Sequence, residues 1–514
     1  MKNMNHYIAL AGLALAMPLA TSCSKDFLDP PVVDYVTEGH RAELIKDSKV
    51  LGDIVDASLS SSYTVFQDYW ASHDDFGLRA FQLATDMYGE DIVYYGGWFS
   101  FDYRWDNFEA NYRRTYSTWD QFYQVIANSN LILRDYFSDA NEDDPAVRAA
   151  KAKPIALRGI SLYYLVTFYQ ANYQINPDAA GVPIPLKPED EFLARSSVKD
   201  VYAQIIADLS YMVENGETTK DSRTDADRAV AAAYLAKAYA DMADWANVEK
   251  YAKIAQEGGS DAVTKYPPSW SIMNGDVLWG FDITPVTSTN WASFYAHMDP
   301  TIPYYAGKSG QIKYIYNWLY DQMGKQDVRR TLFVNSKDNL AIAEENDLAP
   351  YKDKDENWVD FDYASLKYKT TEGANTDYIF LRVQDPILLE IEALNEQGKT
   401  GAAAEKLTKF VVKRDPGFVA AASQDELREQ IRIQRRIELW GEGTQFNDFK
   451  RWNINVDRTK VLFKDKDGKV QTTSNHGYFL NKNLNDPDNV FMLPQREVNN
   501  NKKLVQNKRP KDEK

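Results

Sequence analysis

The chain has 514 residues, 44% hydrophobic and 26% charged, the balance of a globular protein rather than a disordered or fibrous one. Its formal net charge of -16 argues against a nucleic-acid backbone or an anionic membrane face as the main partner. A single cysteine, Cys23, leaves no internal disulfide framework.

Residues 1–6 carry Lys2, and residues 7–20, YIALAGLALAMPLA, are almost wholly apolar. A run of about 14 residues is too short to span a hydrocarbon core of roughly 30 Å as a helix. The small residues Ala20, Thr21 and Ser22 follow, so residues 1–22 are predicted to be a secretory signal. A buried N-terminal helix is the plainer alternative, but no polar face alternates with the apolar one. Cys23 stands where bacterial lipoproteins carry an acylated thiol. Leu19 lies one place further from it than usual, so cleavage nearby without lipidation stays open. Residues 23–40, with Pro30 and Pro31, read as a lipidated tether, and residues 41–514 as the body. After the signal no apolar run approaches the length of a membrane span.

Apolar residues Trp119, Phe122, Tyr123, Ile126 and Leu131 recur at helical steps and predict a helix over 114–137. Asp144 and Pro145 open another, running to about Gln170, with Pro154 as a candidate break. GVPIPLKPED is neither helix nor central strand. The VKDVYAQIIADLSYMVE stretch is amphipathic and follows a serine cap. Residues 227–259 read as helix, short turn, helix, with Ala233, Ala236 and Ala240 at close contacts; residues 383–415 repeat this, with Gly398 ending the first helix. Both pairs resemble tetratricopeptide units, helix pairs of about 34 residues. The long interval between them predicts a helical scaffold with insertions, not a continuous solenoid.

The insertions lie near 86–113 and 266–380, and are dense in Trp, Tyr, Gly, Asp and Asn over 86–113 and 266–320. The chain holds 33 Tyr, 23 Phe and 12 Trp; some fill a core, and so many Tyr and Trp also fit a surface that stacks on flat polar ligands. Long loops on a rigid scaffold are where binding usually resides. Trp98 after YYGG, Trp291 and Tyr295 in STNWASFY, and Tyr304 and Tyr305 after Pro303 are the candidate ligand-binding rings. They are expected to converge on one exposed face; the competing reading places each in the core under its loop.

Chemistry of other kinds is not visible. The five histidines, His6, His40, His73, His297 and His476, show no metal-ligand spacing, and no cofactor is expected. No G-x-S-x-G elbow, P-loop or dinucleotide fingerprint occurs. DKDGK at 465–469 lacks the glutamate that completes a calcium loop and reads as a hairpin turn. A helix predicted over 425–452 carries Arg428, Arg432, Arg435 and Arg436. They form either an anion site or, with Glu426, Glu429 and Glu438 interleaved, ion pairs that hold the C-terminal segment.

In order, CSKDFLD, SNLILRDY, ALRGISLYYLVTFYQ with GVPIPL, SVKDVYAQIIADL, AYLAKAYADMADWANVEKYAKIA, EIEALNEQG, IRIQRRIELWGEGTQFNDFKRW and FMLPQREVNNNKKLVQN resemble the SusD/RagB family of Bacteroidetes outer-membrane lipoproteins. The resemblance covers nearly the whole chain after the signal. It implies a mainly α fold of tetratricopeptide-like pairs with long irregular aromatic-rich loops. It also implies a non-enzymatic role: capture of a glycan at the cell surface and delivery to a SusC-like TonB-dependent outer-membrane transporter, with the membrane reached through lipid on Cys23. A surface glycosidase and a RagB-like peptide-binding lipoprotein are the alternatives; nucleic acid is not an expected partner.

Overall fold

The computed structural model describes residues 46–510, except 70–71, 220–222, 262–272, 308, 336–343, 347, 349–350, 353–357, 360, 371–374, 460, 462, 465–469 and 472–479. The predicted signal, Cys23, the predicted tether and DKDGK lie outside the described residues. The strands flanking DKDGK pair antiparallel, Phe463 with Gln471 and Lys464 with Val470.

The scaffold is a row of helices, several of them started by a side-chain cap. Helix α1 (Ser48–Asp68) begins at Asp47, whose carboxylate accepts from the Lys49 and Val50 amides. Helix α2 (Leu78–Met87) is buried along its whole length. Helix α3 (Arg113–Phe137) and helix α4 (Pro145–Tyr169) follow, the latter capped by Asp144 with proline at its first position. Pro154 does not break α4. It forfeits one backbone hydrogen bond, at roughly 3 kcal/mol, but every residue from Pro154 to Tyr169 is buried, and that packing holds the helix straight through.

Helix α5 (Val198–Asn215) is capped by Ser197, α6 (Arg228–Asp241) by Asp227, and α7 (Trp245–Ala255) by Asp244. Side-chain oxygens take up amides that the first helical turn leaves unpaired. Ala233, Ala236 and Ala240 of α6 are fully buried, as expected for positions where helices approach closely. Helix α8 (Gln384–Glu396) and helix α9 (Thr400–Val411) form the second pair, with Gly398 in the left-handed region between them.

In space the row is unbroken. Helices α3 to α8 each pack on the next, and α8 also packs on α9 and on α10 (Gln424–Glu438). The interval between α7 and α8 is closed by two strands, β2 (Val277–Phe281) and β4 (Tyr378–Arg382), paired antiparallel at the two ends of the insertion. The insertion therefore leaves and re-enters the row at one place, which brings α8 against α7.

The helix predicted over 425–452 is two. Helix α10 ends at Glu438, and α11 (Gln445–Trp452) starts after a turn holding Gly441 and Gly443 at φ +75 and +78. The break is fixed from outside: the Asp86 carboxylate accepts from the Gly443 and Gln445 amides at 2.7 and 3.1 Å. Side chains at these glycines would strike Tyr368 and Gln82.

The arginines of α10 are ion-paired, but largely to carboxylates from distant segments. Arg435 bridges Asp385 and Asp448, both at 2.7 Å, and Arg436 holds Glu90 and Asp91. Glu438 receives Arg414 at 2.7 Å, Arg329 at 3.4 Å and Arg382 at 3.5 Å. Burial raises the Glu438 carboxyl, but Arg414, Arg382 and Arg329 outweigh it and hold it well below the usual range. Only Arg432–Glu429 and Arg428–Asp425 pair within the helix, and Arg428 also reaches Glu396.

Candidate ligand-binding cleft

The two aromatic insertions are joined. Strand β1 (Ile92–Tyr94) of the first pairs antiparallel with β3 (Lys313–Ile315) of the second, Ile92 opposite Ile315 and Tyr94 opposite Lys313. After β1 the chain turns through Gly96 and Gly97 at φ +149 and +128. A side chain at Gly97 would collide with Gln311 and the Tyr94 hydroxyl. Glycine is therefore required twice there, for conformation and for close approach. Gln311 Oε1 then accepts from the Trp98 amide at 3.1 Å and the Tyr94 hydroxyl at 3.2 Å, pinning the turn to the second insertion.

Four of the five predicted rings meet as a result. Trp98 stacks on His73, centroids 4.5 Å apart and 19° between planes, so one indole face is backed. The Tyr305 hydroxyl is hydrogen-bonded to His73 Nδ1, and its ring stands edge-on to Trp98 at 6.1 Å. Trp291 packs against Tyr305 at 4.7 Å and Tyr304 at 5.1 Å. Trp98 is 38% exposed, Trp291 and Tyr304 are half-buried, and Tyr305 is buried. Tyr295 is not brought into this group. It lies in a buried turn of helix, Phe294–Met298, and donates its hydroxyl to the Asp377 carbonyl at 2.5 Å. Burial pushes that hydroxyl far up, as befits a core residue.

Beside Trp98 opens a cleft of ≈ 420 Å³. Trp98, Phe101 and Tyr112 form its apolar side, and Phe101 and Tyr112 are 52% and 40% exposed. Asn107, Gln311, Asp74, Asp102, Arg113 and Arg114 supply polar groups. Phe101 sits in a short helical turn, Ser100–Tyr103, tied back by the Gly97 amide donating to Ser100 Oγ at 2.7 Å. The arginines lie at the start of α3. Arg114 donates to Asp102 at 2.9 and 3.3 Å and to the Asp74 carbonyl at 3.0 Å, while Arg113 is paired with Asp74 and donates to Ser72 at 2.9 Å. Asp102 also accepts from Tyr88 and Asn107, both at 2.7 Å. Among the described residues no cluster of acidic, histidine or cysteine side chains could hold a metal ion.

Phe101, Tyr112 and Arg113 were not singled out in the sequence, although they fall in the first insertion among the same Gly, Asp and Asn neighbours as Trp98. His73 and Gln311 carry no local signal; they matter only through strand pairing and ring stacking across the fold.

Residues 210–510 match the family model described as the SusD family. The chain belongs to the SusD family. Residues 54–240 of this SusD family member also match the model described as starch-binding associating with outer membrane. SusD-like protein P2 of Formosa agariphila is 24% identical over 374 residues, 65% of this chain and 71% of that one. A SusD-like carbohydrate binding protein from Bacteroides vulgatus superposes with a TM-score of 0.70 at 21% identity, covering 88% of this chain and 97% of that one. A SusD superfamily protein from Bacteroides thetaiotaomicron gives 0.71 at 19%, covering 89% and 100%. At these identities the structures establish the fold, the mainly α, tetratricopeptide-like architecture. No described helix of this SusD family member is long and apolar enough to cross a membrane.

Proposed function

We propose that this protein is a non-enzymatic, lipid-anchored component of the outer membrane that captures a glycan in the Trp98 cleft and passes it to a SusC-like TonB-dependent transporter. The observation that carries the reading is the exposure of Trp98, Phe101 and Tyr112 around one cleft that also holds Asn107, Gln311 and Arg113. A pyranose has an apolar C–H face and a rim of hydroxyls; aromatic rings cover the first, and amide, carboxylate and guanidinium groups bond the second. Family membership supports carbohydrate binding and association with the outer membrane. Hydrolysis would need two carboxylates presented to the scissile bond. Asp74 and Asp102 are instead held by Arg113 and Arg114. A capture protein must also release, and a Kd between millimolar and micromolar, about -4 to -8 kcal/mol, lies within reach of a few rings and hydrogen bonds.

The test is an array of glycans and peptides probed with the chain starting after Cys23, and assayed in parallel for reducing-sugar release. Binding to a glycan without release of sugar is the expected result; exclusive binding to peptides, or sugar release, defeats the proposal. For the anchor, Cys23→Ala is expected to move the protein from the membrane fraction to the soluble one. Retention of the variant on membranes after a high-salt, carbonate wash would sink the lipid assignment.

A further inference from the structure

The charges around the cleft say which glycans it accepts, given that it is the glycan site proposed above. Among the described residues the charged groups lining it are two arginines and two aspartates, and they are already matched. Arg113 is paired with Asp74. Arg114 holds Asp102 at 2.9 Å, with Asp74 and Asp75 at 3.8 and 3.7 Å. Arg104, next to the Phe101 ring, is bonded to Asp106 at 2.7 Å.

From this matched pairing we infer that the cleft selects uncharged saccharides over uronate-bearing or sulfated ones. An incoming carboxylate or sulfate that reaches Arg113 or Arg114 must share that guanidinium with Asp74 or Asp102, or displace it. Either way it sits close to the carboxylate already there, and like charges so close repel. It also has nothing to donate. Asp74 is an acceptor, and a carboxylate at the cleft answers hydroxyl donors, which a neutral sugar supplies all around its rim. The exposed faces of Trp98, Phe101 and Tyr112 reinforce the choice, since a ring's negative face attracts C–H groups and repels anions.

The experiment uses matched polymers that differ only in charge: polygalacturonate beside its carboxyl-reduced form, alginate beside its carboxyl-reduced form, and a sulfated galactan beside its desulfated form. Binding of the soluble chain is measured at low and high salt, together with Asp74→Asn. Within any pair that binds, the neutral member is expected to bind at least about tenfold more tightly, with little response to salt. Asp74→Asn releases Arg113 and is expected to gain about tenfold for the acidic member, the size of one charge-assisted hydrogen bond. Tighter, salt-sensitive binding of the acidic members by the native chain would overturn this selectivity while leaving glycan capture intact. A folded Asp74→Asn variant with unchanged preference would also overturn it. Binding to no member of any pair, and to no glycan on the array, would remove both this inference and the reading it rests on.

Discussion

The arginine-rich helix α10 and the aromatic insertions make opposite use of residues that look functional. Helix α10 carries four arginines on one short segment, the composition of an anion site, yet its inward pair is sunk among carboxylates of Asp385, Asp448, Glu90 and Asp91. The insertions carry apolar rings, the composition of a core, yet Trp98, Phe101 and Tyr112 remain substantially exposed. The difference lies in partners. A guanidinium that finds its carboxylate inside the fold is spent on structure. A ring that stays exposed beside a cleft is free to meet a ligand.

The largest expected effect lies on the structural side. Glu438→Gln leaves Arg414, Arg382 and Arg329 around a neutral amide and is expected to cost about 3 to 5 kcal/mol, read by chemical denaturation. The sign with pH follows from the carboxyl being held below its ordinary value of 4.5. Its contribution is full above pH 4.5 and drains as pH falls toward the folded value, because the unfolded chain takes up the proton first. The gap between native and Glu438→Gln stability should therefore narrow in acid. A gap that stays constant from neutral pH to well below 4.5 would remove Glu438 from the centre of the cluster.

Helix contacts come next. Ala236 is fully buried, and Ala236→Leu is expected to lose roughly 1 to 3 kcal/mol by overpacking. An unchanged melting temperature would mean that α6 does not pack at that face.

The smallest stability changes, and the clearest binding changes, belong to the cleft. Trp98→Ala is expected to weaken glycan binding about tenfold or more, ~1.4 kcal/mol, while barely moving the melting temperature. Trp291 is packed against Tyr304 and Tyr305, so Trp291→Ala should cost more stability than Trp98→Ala. If Trp98→Ala destabilises the fold as much as Ala236→Leu does, the contrast between the two regions collapses.

Helix pairs were legible because their information is local: a cap, a three-to-four-residue apolar step and a terminating glycine lie within one segment. The split between α10 and α11 was foreshadowed by the two glycines of WGEG, but what holds the turn is Asp86, far away in the chain. The aromatic loops were legible as a region, not residue by residue. Trp291 and Tyr295 stand four positions apart in the same polar stretch, yet one joins the Trp98 cluster and the other is core. Ser293 caps a turn of helix between them and carries Tyr295 inward.

The sequence by itself determined the helices from α3 to α9, the two long insertions and the kind of ring those insertions carry, since periodicity and turn residues act over a few positions. Tertiary structure alone decided which rings meet, which arginines are satisfied and where a cleft opens. Those outcomes depend on antiparallel pairings such as Ile92 with Ile315 and on carboxylates brought from remote segments. Contacts of that range are set by the closing of the whole fold, and no local pattern encodes them.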